Sequence, residues 1–311
     1  MDAKKLLGLE EQGYRMAGRH SAIKICHWTR ECIRGKDSCY KNTFYGINSH
    51  RCVQMTPVLD VCTHRCKWCW RDIDKSNKRW KGKPDSPSKV IAECIKQQKQ
   101  ILYGFGGNKK ADRQKYEEAL EPKHFAISLT GEPTLYPKLP ELIKELTKRG
   151  ITSFLVTNGT QPEMIKKLIK NPPTQIYLTL PAPNKKIYMK VCRPLIKDGW
   201  ERIMKTLRMI KKFPRSTIRL TLVKGENMIN PEEYAKLIKN KSDFIELKAY
   251  MWVGHSMKRL KYSNMPVHAE IKEFAEQIAG KEYRIAKEKE NSRVVLLQKK
   301  GSRKKLHYSA S

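Results

Sequence analysis

The chain has 311 residues, enough for one large domain or two small ones with a sizeable core. Its 64 Lys and Arg against 31 Asp and Glu leave a formal net charge of +33, which suggests a large anionic partner, nucleic acid first; a thermophile's lysine-rich surface would raise both signs together. No stretch reaches the roughly 18 apolar residues of a membrane span, and the start, Met1-Asp2-Ala3-Lys4-Lys5-Leu6-Leu7-Gly8, lacks a secretory h-region, so the expected place is the cytoplasm, where nine cysteines, an odd number, stay reduced.

Residues 1–20 are polar and read as helix, loosening into a loop at Gly-Tyr-Arg-Met-Ala-Gly. Cys26, Cys39 and Cys52 follow with twelve residues in each gap, and Cys32 lies between the first two. Gaps of that size do not close locally, so the loops must fold back to bring three sulfurs together. Lys41 stands two residues past Cys39, and among so many lysines it reads as a solvated charge. Met55 to Val61 reads as a strand. It leads into Cys62-Thr63-His64-Arg65-Cys66-Lys67-Trp68-Cys69, spaced C-x3-C-x2-C. Thiolates so close together suit zinc or iron–sulfur clusters. Structural zinc wants four ligands, and here there are three; a cubane held by three cysteines keeps one open iron for a substrate.

Next comes a basic, turn-rich segment, Lys75 to Pro87, with Trp80 in its middle. Basic side chains beside tryptophan suit RNA, where bases stack on aromatic faces; the alternative is a surface loop with one buried Trp. Residues 88–103 carry apolar side chains at helical spacing, and Gly104, Gly106 and Gly107 are expected to break that helix into a flexible turn. Residues 109–121 read as a charged helix. From His124 a regular alternation begins. Strands are expected at 125–129, 151–156, 175–180, 217–223 and 244–249, and helices at 139–148, 162–170, 198–212, 231–238 and 267–278. With the strand before Cys62 this makes six β/α units, hence a parallel sheet covered by helices; an open doubly wound sheet would also fit. Two short strands, 283–286 and 294–298, turn at 290–292, and the last dozen residues are basic and expected to be disordered.

Chemistry in parallel β/α folds sits after the strands. The segments there are Thr130-Gly131-Glu132-Pro133-Thr134, Thr157-Asn158-Gly159-Thr160, Pro181 to Asn184, Lys224 to Asn227, and Tyr250 to His255. Asn227 and His255 enter as pocket-wall candidates. Cys32, Cys94 and Cys192 read as ordinary reduced thiols.

The cysteine triplet, with an aromatic residue (Trp68) just before its third member, resembles the radical S-adenosylmethionine superfamily. The resemblance implies a partial (β/α)6 barrel and a [4Fe-4S] cluster on Cys62, Cys66 and Cys69 whose open iron chelates S-adenosyl-L-methionine. One electron then splits the sulfonium and frees a 5′-deoxyadenosyl radical that abstracts hydrogen. Thr130-Gly131-Glu132 resembles the superfamily's Gly-Gly-Glu region, which meets the cofactor's methionine amino group, with Thr130 in place of the first Gly. Thr157 and Asn158 match the position facing ribose or carboxylate, and Asn227 follows the adenine-supporting strand.

The equal cysteine gaps, the block Cys39-Tyr40-Lys41-x-x-Phe44-Tyr45-Gly46, the C-x3-C-x-W-C-W triplet, Thr130 to Pro137 and the basic charge together resemble the tRNA 4-demethylwyosine synthases, over roughly residues 20 to 300. What this implies is a lyase of the wyosine-base pathway. It joins two carbons of pyruvate to N1-methylguanosine of tRNA(Phe), just 3′ of the anticodon. A second [4Fe-4S] cluster would sit on Cys26, Cys39 and Cys52, and Lys41 would form a Schiff base with pyruvate. The chain is similar to the single-domain archaeal form, which takes electrons from an external electron donor. The implied division is 1–54 for the second-cluster cysteines, 55–280 for the barrel with a basic insertion at 75–123 as a candidate tRNA contact, and 281–311 for a C-terminal extension. Two alternatives stay open: another radical RNA-modifying enzyme, such as a methylthiotransferase, or a non-enzymatic zinc RNA-binding protein.

Overall fold

The computed structural model describes residues 3–74 and 76–308, which gather into two compact units. Within the described residues, the first unit takes those up to Asp60, Trp80–Leu155 and the chain from His307; the second takes Val61–Arg79 and Val156–Leu306.

The first unit contains α1 (Ala3–Glu11), β1 (Tyr14–Ala17), β2 (Ser21–Lys24), α2 (His27–Ile33), α3 (Tyr40–Tyr45), β3 (Cys52–Thr56), α4 (Pro87–Gly106), α5 (Arg113–Ala119), β4 (His124–Ile127), α6 (Leu139–Lys148) and most of β5 (Thr152–Thr157). β1, β2 and β3 run antiparallel; β3, β4 and β5 run parallel, with Cys52 beside His124 and His124 beside Thr152. α4 starts where the Ser86 side chain accepts the Lys89 N–H and Pro87 fills the first turn, and it buries Val90, Ile91, Cys94, Gln98 and Leu102 along one stripe.

Three expectations change here. The helix expected over residues 1–20 stops at Glu11, and the Gly13–Gly18 stretch expected as a loop carries β1, which pairs with β2 around the left-handed turn at Gly18 (φ +86°). Gly104 and Gly106 do not break α4; a Cβ at Gly106 would stand 2.8 Å from the Tyr116 hydroxyl, so the glycine makes room for α5. The strand expected over 55–61 is β3, displaced to Cys52–Thr56. It ends because the Thr56 hydroxyl donates to the Thr130 carbonyl at 2.6 Å and accepts the Val58 N–H at 3.1 Å, which bends the chain.

The second unit contains α7 (Pro162–Leu168), β6 (Gln175–Thr179), α8 (Lys185–Cys192), α9 (Gly199–Met209), β7 (Ser216–Leu222), α10 (Pro231–Ile238), β8 (Phe244–Ala249), α11 (His268–Ala279), β9 (Tyr283–Lys289) and β10 (Val294–Lys299). β6, β7 and β8 are parallel, and β10 lies antiparallel between β8 and β9. The three parallel strands of each unit and the terminal hairpin match the expected alternation. α8 is an addition, started by Asn184, whose side chain accepts the Ile187 N–H. The basic tail is not loose through its described part. The Arg215 guanidinium donates to the carbonyls of Lys305 at 2.8 Å and Leu306 at 3.0 Å, and the Tyr308 N–H donates to the Tyr45 carbonyl at 2.8 Å. No helix among the described residues is long and apolar enough to cross a membrane.

Candidate metal and cofactor centres

In the first unit, Cys26 and Cys39 stand at the N-terminal caps of α2 and α3, and Cys52 opens β3. Hydrogen bonds fold the intervening loops back as the wide spacing required. The Thr29 hydroxyl donates to the Ser49 carbonyl at 3.0 Å, the Cys39 N–H donates to the Ser49 hydroxyl at 2.9 Å, and the Asn48 N–H donates to His124 Nε2 at 3.2 Å. Burial pushes the Cys52 thiol up to about 12, while the Lys41 ammonium pulls it down and the Cys26 and Cys39 thiols push it further up. These four groups therefore share one electrostatic field.

Lys41 is 7% exposed, so it is not the solvated charge that its composition suggested. Its Nζ lies 5.6 Å from the centroid of the Phe154 ring and 5.9 Å from that of Tyr40, and its N–H donates to Cys39 Sγ at 3.5 Å. Cys32 turns to His50 Nδ1 at 3.5 Å, and His50 Nε2 meets Glu118 at 2.6 Å.

After β4, Gly131 takes φ +72°, a conformation that glycine adopts without strain. Glu132 is 2% exposed, and its carboxylate accepts the Thr134 N–H at 3.1 Å and the Thr134 hydroxyl. The Thr130 hydroxyl is buried and makes no hydrogen bond among the described residues. An orphaned hydroxyl beside a buried carboxylate and an open backbone turn suits a polar ligand carrying an ammonium group. Trp80 is committed elsewhere: its ring packs edge-on to His20 at 4.7 Å and against Tyr136 at 5.7 Å, and its Nε1 donates to Gly82.

In the second unit, the loop Cys62–Cys69 is pinned by backbone bonds on several sides. The N–H groups of Arg65 and Lys67 donate to the carbonyls of Cys192 and Val191 at the end of α8, each at 2.9 Å. The Arg259 guanidinium donates to the carbonyls of Lys67, at 3.1 Å, and Cys69. Asn158 Nδ2 donates to the Thr63 hydroxyl at 3.0 Å and reaches Cys62 Sγ at 3.9 Å. Asn158 Oδ1 accepts the Thr160 N–H and hydroxyl, which fixes its amide. Thr157 shapes the same turn by accepting the Gly159 N–H at 3.0 Å.

Arg71, 9% exposed, stands in the field of this loop. Burial alone would lower its guanidinium, but the Cys62, Cys69 and Cys66 sulfurs more than offset that and raise it. Burial raises the Cys69 thiol, and Arg71 opposes the rise. Three thiolate donors around one buried cation fit a cubane cluster with an open iron. Cys66 has further neighbours: its Sγ, the Cys192 Sγ and a His64 ring nitrogen lie within 4.8 Å of one another. A hydrogen bond to Cys192 and burial hold the Cys66 thiol well above its ordinary range. His64 stays neutral, lowered to about 3 by burial, with Nε2 at 2.9 Å from the Tyr188 hydroxyl. Cys192 is thus part of this neighbourhood rather than an isolated thiol.

Two candidates serve as braces. Asn227 is wholly buried; its Oδ1 accepts the Val223 N–H at 2.7 Å and its Nδ2 donates to the Pro181 and Thr221 carbonyls at 2.8 Å. Trp68 packs with Trp252 and Met265 onto the small core of Val223, Tyr250 and Leu260. Arg71, Arg259 and Cys192 escaped sequence reasoning. A single Arg among 64 basic residues carries no signal, and Cys192 lies far along the chain from the triplet.

The radical SAM superfamily profile matches residues 56–238, and the wyosine base formation profile matches residues 239–299. The S-adenosyl-L-methionine-dependent tRNA 4-demethylwyosine synthase of Pyrococcus abyssi (strain GE5 / Orsay) is 50% identical over 296 residues, which is 93% of this chain and 86% of that protein. The Oryza sativa subsp. japonica protein of the same name is 41% identical over 94% of this chain and 45% of its own length. A structure of TYW1 with a lysine–pyruvate adduct bound superposes with a TM-score of 0.89 at 37% identity, covering 100% of this chain and 99% of that one. The crystal structure of archaeal TYW1 gives 0.82 at 34% identity, covering 99% and 100%.

Proposed function

The chain belongs to the radical S-adenosylmethionine superfamily and, within it, to the tRNA 4-demethylwyosine synthases, and on that premise we propose that it joins two carbons of pyruvate to N1-methylguanosine beside the anticodon of phenylalanine tRNA. It has the α/β fold of that class, the partial barrel of six β/α units, and it uses a [4Fe-4S] cluster and S-adenosyl-L-methionine. That cluster supplies the electron that splits S-adenosyl-L-methionine and yields the hydrogen-abstracting radical.

In our reading Cys62, Cys66 and Cys69 hold this cluster, and the Arg71 guanidinium offsets the charge of their thiolates. Asn158 orients the loop through Thr63 and Cys62. Thr130, Gly131 and Glu132 receive the methionine ammonium, and Thr157, Trp68 and Asn227 keep the cofactor-facing turns in place. A second cluster belongs to Cys26, Cys39 and Cys52. The Lys41 amine adds to the pyruvate ketone and expels water, giving a Schiff base. The functional division is 1–54, 55–280 and 281–311, the electrons come from an external donor, and the enzyme works in the reducing cytoplasm.

The carrying observation is the burial of Lys41 in one field with Cys26, Cys39 and Cys52. Its relevance is supported by the TYW1 relative whose structure holds a lysine–pyruvate adduct. The test is anaerobic reconstitution followed by reaction with S-adenosyl-L-methionine, pyruvate, a reductant and methylated tRNA(Phe). The expected results are a tricyclic base in the nucleoside digest and about eight irons per chain, two cubanes' worth. Borohydride should fix labelled pyruvate on the Lys41 peptide, and Lys41→Ala should lose the label. Cofactor cleavage without the tricyclic base would point to a different radical enzyme. About four irons would remove the second cluster, and label on another lysine would remove the role of Lys41.

A further inference from the structure

Large exposed apolar side chains are few among the described residues, and they concentrate in one place. Of eight, five (Met251, Val253, Met257, Tyr262 and Val267) lie in the stretch that follows β8. Tyr262 is 63% exposed. Its ring stands edge-on to Trp252 with centroids 6.0 Å apart, and Trp252 is fixed in turn by Nε1 donating to the Leu260 carbonyl at 2.8 Å. Residues 251–267 also contain His255, Lys258, Arg259 and Lys261, and no Asp or Glu. Lys258 and Lys261 are exposed beside the apolar side chains.

A patch that is apolar and only positively charged fits a partner with flat apolar faces strung on a negative backbone. Unpaired nucleotides have that chemistry: bases stack on aromatic rings while phosphates meet lysines. A protein partner would offer no reason for the missing acidic residues, and the net charge of +33 points the same way.

The stretch is also tied to the loop of the cysteine triplet, within the same unit. The His255 N–H donates to the Trp70 carbonyl at 2.8 Å, and Arg259 holds the carbonyls of Lys67 and Cys69. Gly254 has φ +57°, and a Cβ there would stand 2.5 Å from the Trp70 carbonyl oxygen, so glycine lets the two backbones meet. Trp68 and Trp252 pack onto one small core. Whatever lies on this stretch is therefore held at a set position relative to Cys62, Cys66 and Cys69.

We infer that residues 251–267 form the platform for unpaired bases of the tRNA anticodon loop, with Tyr262 as the stacking ring and Lys258 and Lys261 as phosphate contacts. The inference rests on the reading of the chain as a tRNA-modifying enzyme, and it adds where the RNA lies.

The test is a fluorescence-anisotropy titration of the reconstituted full chain with a labelled anticodon stem-loop of tRNA(Phe). Tyr262→Ala should weaken binding about tenfold, the loss of one stacked base. Tyr262→Phe should keep the affinity. A loop-free duplex should bind wild type and Tyr262→Ala alike. Photocrosslinking wild type with 4-thiouridine in the loop, which needs no variant to fold, should label a peptide within 251–267. Equal stem-loop binding by Tyr262→Ala and wild type, or crosslinks confined to other peptides, would overturn the platform. A wild-type chain that binds no stem-loop would overturn the tRNA reading itself, and the platform with it.

Discussion

His124 links the loop that carries Cys39 and Cys52 to the sheet of the first unit. Its Nε2 accepts the Asn48 N–H, so Nδ1 carries the proton and donates to the Thr152 hydroxyl at 2.6 Å, which donates to the Lys123 carbonyl at 3.2 Å. The network accepts only the neutral ring, and burial, helped by Arg51, His50 and Lys123, lowers His124 to about 4. The unfolded chain protonates this ring first, near pH 6.5. The contribution is therefore complete above about 6.5, drains as pH falls toward about 4, and is level below that; its full size is up to roughly 3 kcal/mol. Urea midpoints measured from about pH 7 to about pH 5 should fall in the wild type and fall less steeply in His124→Gln. Equal slopes would show that His124 is not the titrating group. Lys41 makes a complementary point at this scale. Composition gave it no distinction among 64 basic residues, the family resemblance singled it out, and burial against Phe154 and Tyr40 separates it physically from a surface lysine.

Elements were legible in proportion to their length and regularity. The five strands from His124 onward and the helices between them carry near-continuous apolar runs and amphipathic stripes, and they lie within a few residues of their expected positions. The hairpin of β1 and β2 did not show, because each strand has only four residues and the alternation is too short to stand out from the helix and loop expected there. α8 was masked by Pro181 and Pro183, which read as loop, although its start depends on the Asn184 cap. The connection after β8 was legible only as the stretch Tyr250 to His255, with His255 as a pocket-wall candidate, and its hold on the cysteine loop came from the fold. Gly254→Ala should expose that hold. A left-handed backbone bearing a Cβ against the Trp70 carbonyl should cost about 1–3 kcal/mol. The expected readouts are a lower melting temperature and reduced iron uptake on reconstitution. An unchanged melting temperature with full iron would show that the contact can relax.

The charge of the whole molecule carries its own expectation. An excess of 64 Lys and Arg over 31 Asp and Glu is maintained against self-repulsion, and a polyanion relieves it. Each phosphate neutralised releases counterions, so affinity for tRNA should drop by about a thousandfold between about 50 and 200 mM salt if six or more phosphates are met. Filter binding across that range measures the slope; a flat response would mean that the positive surface does not hold the RNA.

The sequence by itself determined the C-x3-C-x2-C spacing of Cys62, Cys66 and Cys69 and the six-fold strand–helix alternation. Both are written in short covalent spacings that survive any arrangement of the rest of the chain. Tertiary structure decided which basic and sulfur-bearing side chains matter around them. It buried Lys41 in the field of Cys26, Cys39 and Cys52, set Arg71 and Cys192 beside the triplet, and turned Asn227 into a brace. Those outcomes depend on burial and on neighbours distant along the chain. Removing a group from water changes what its charge costs, and only the folded chain says which groups are removed.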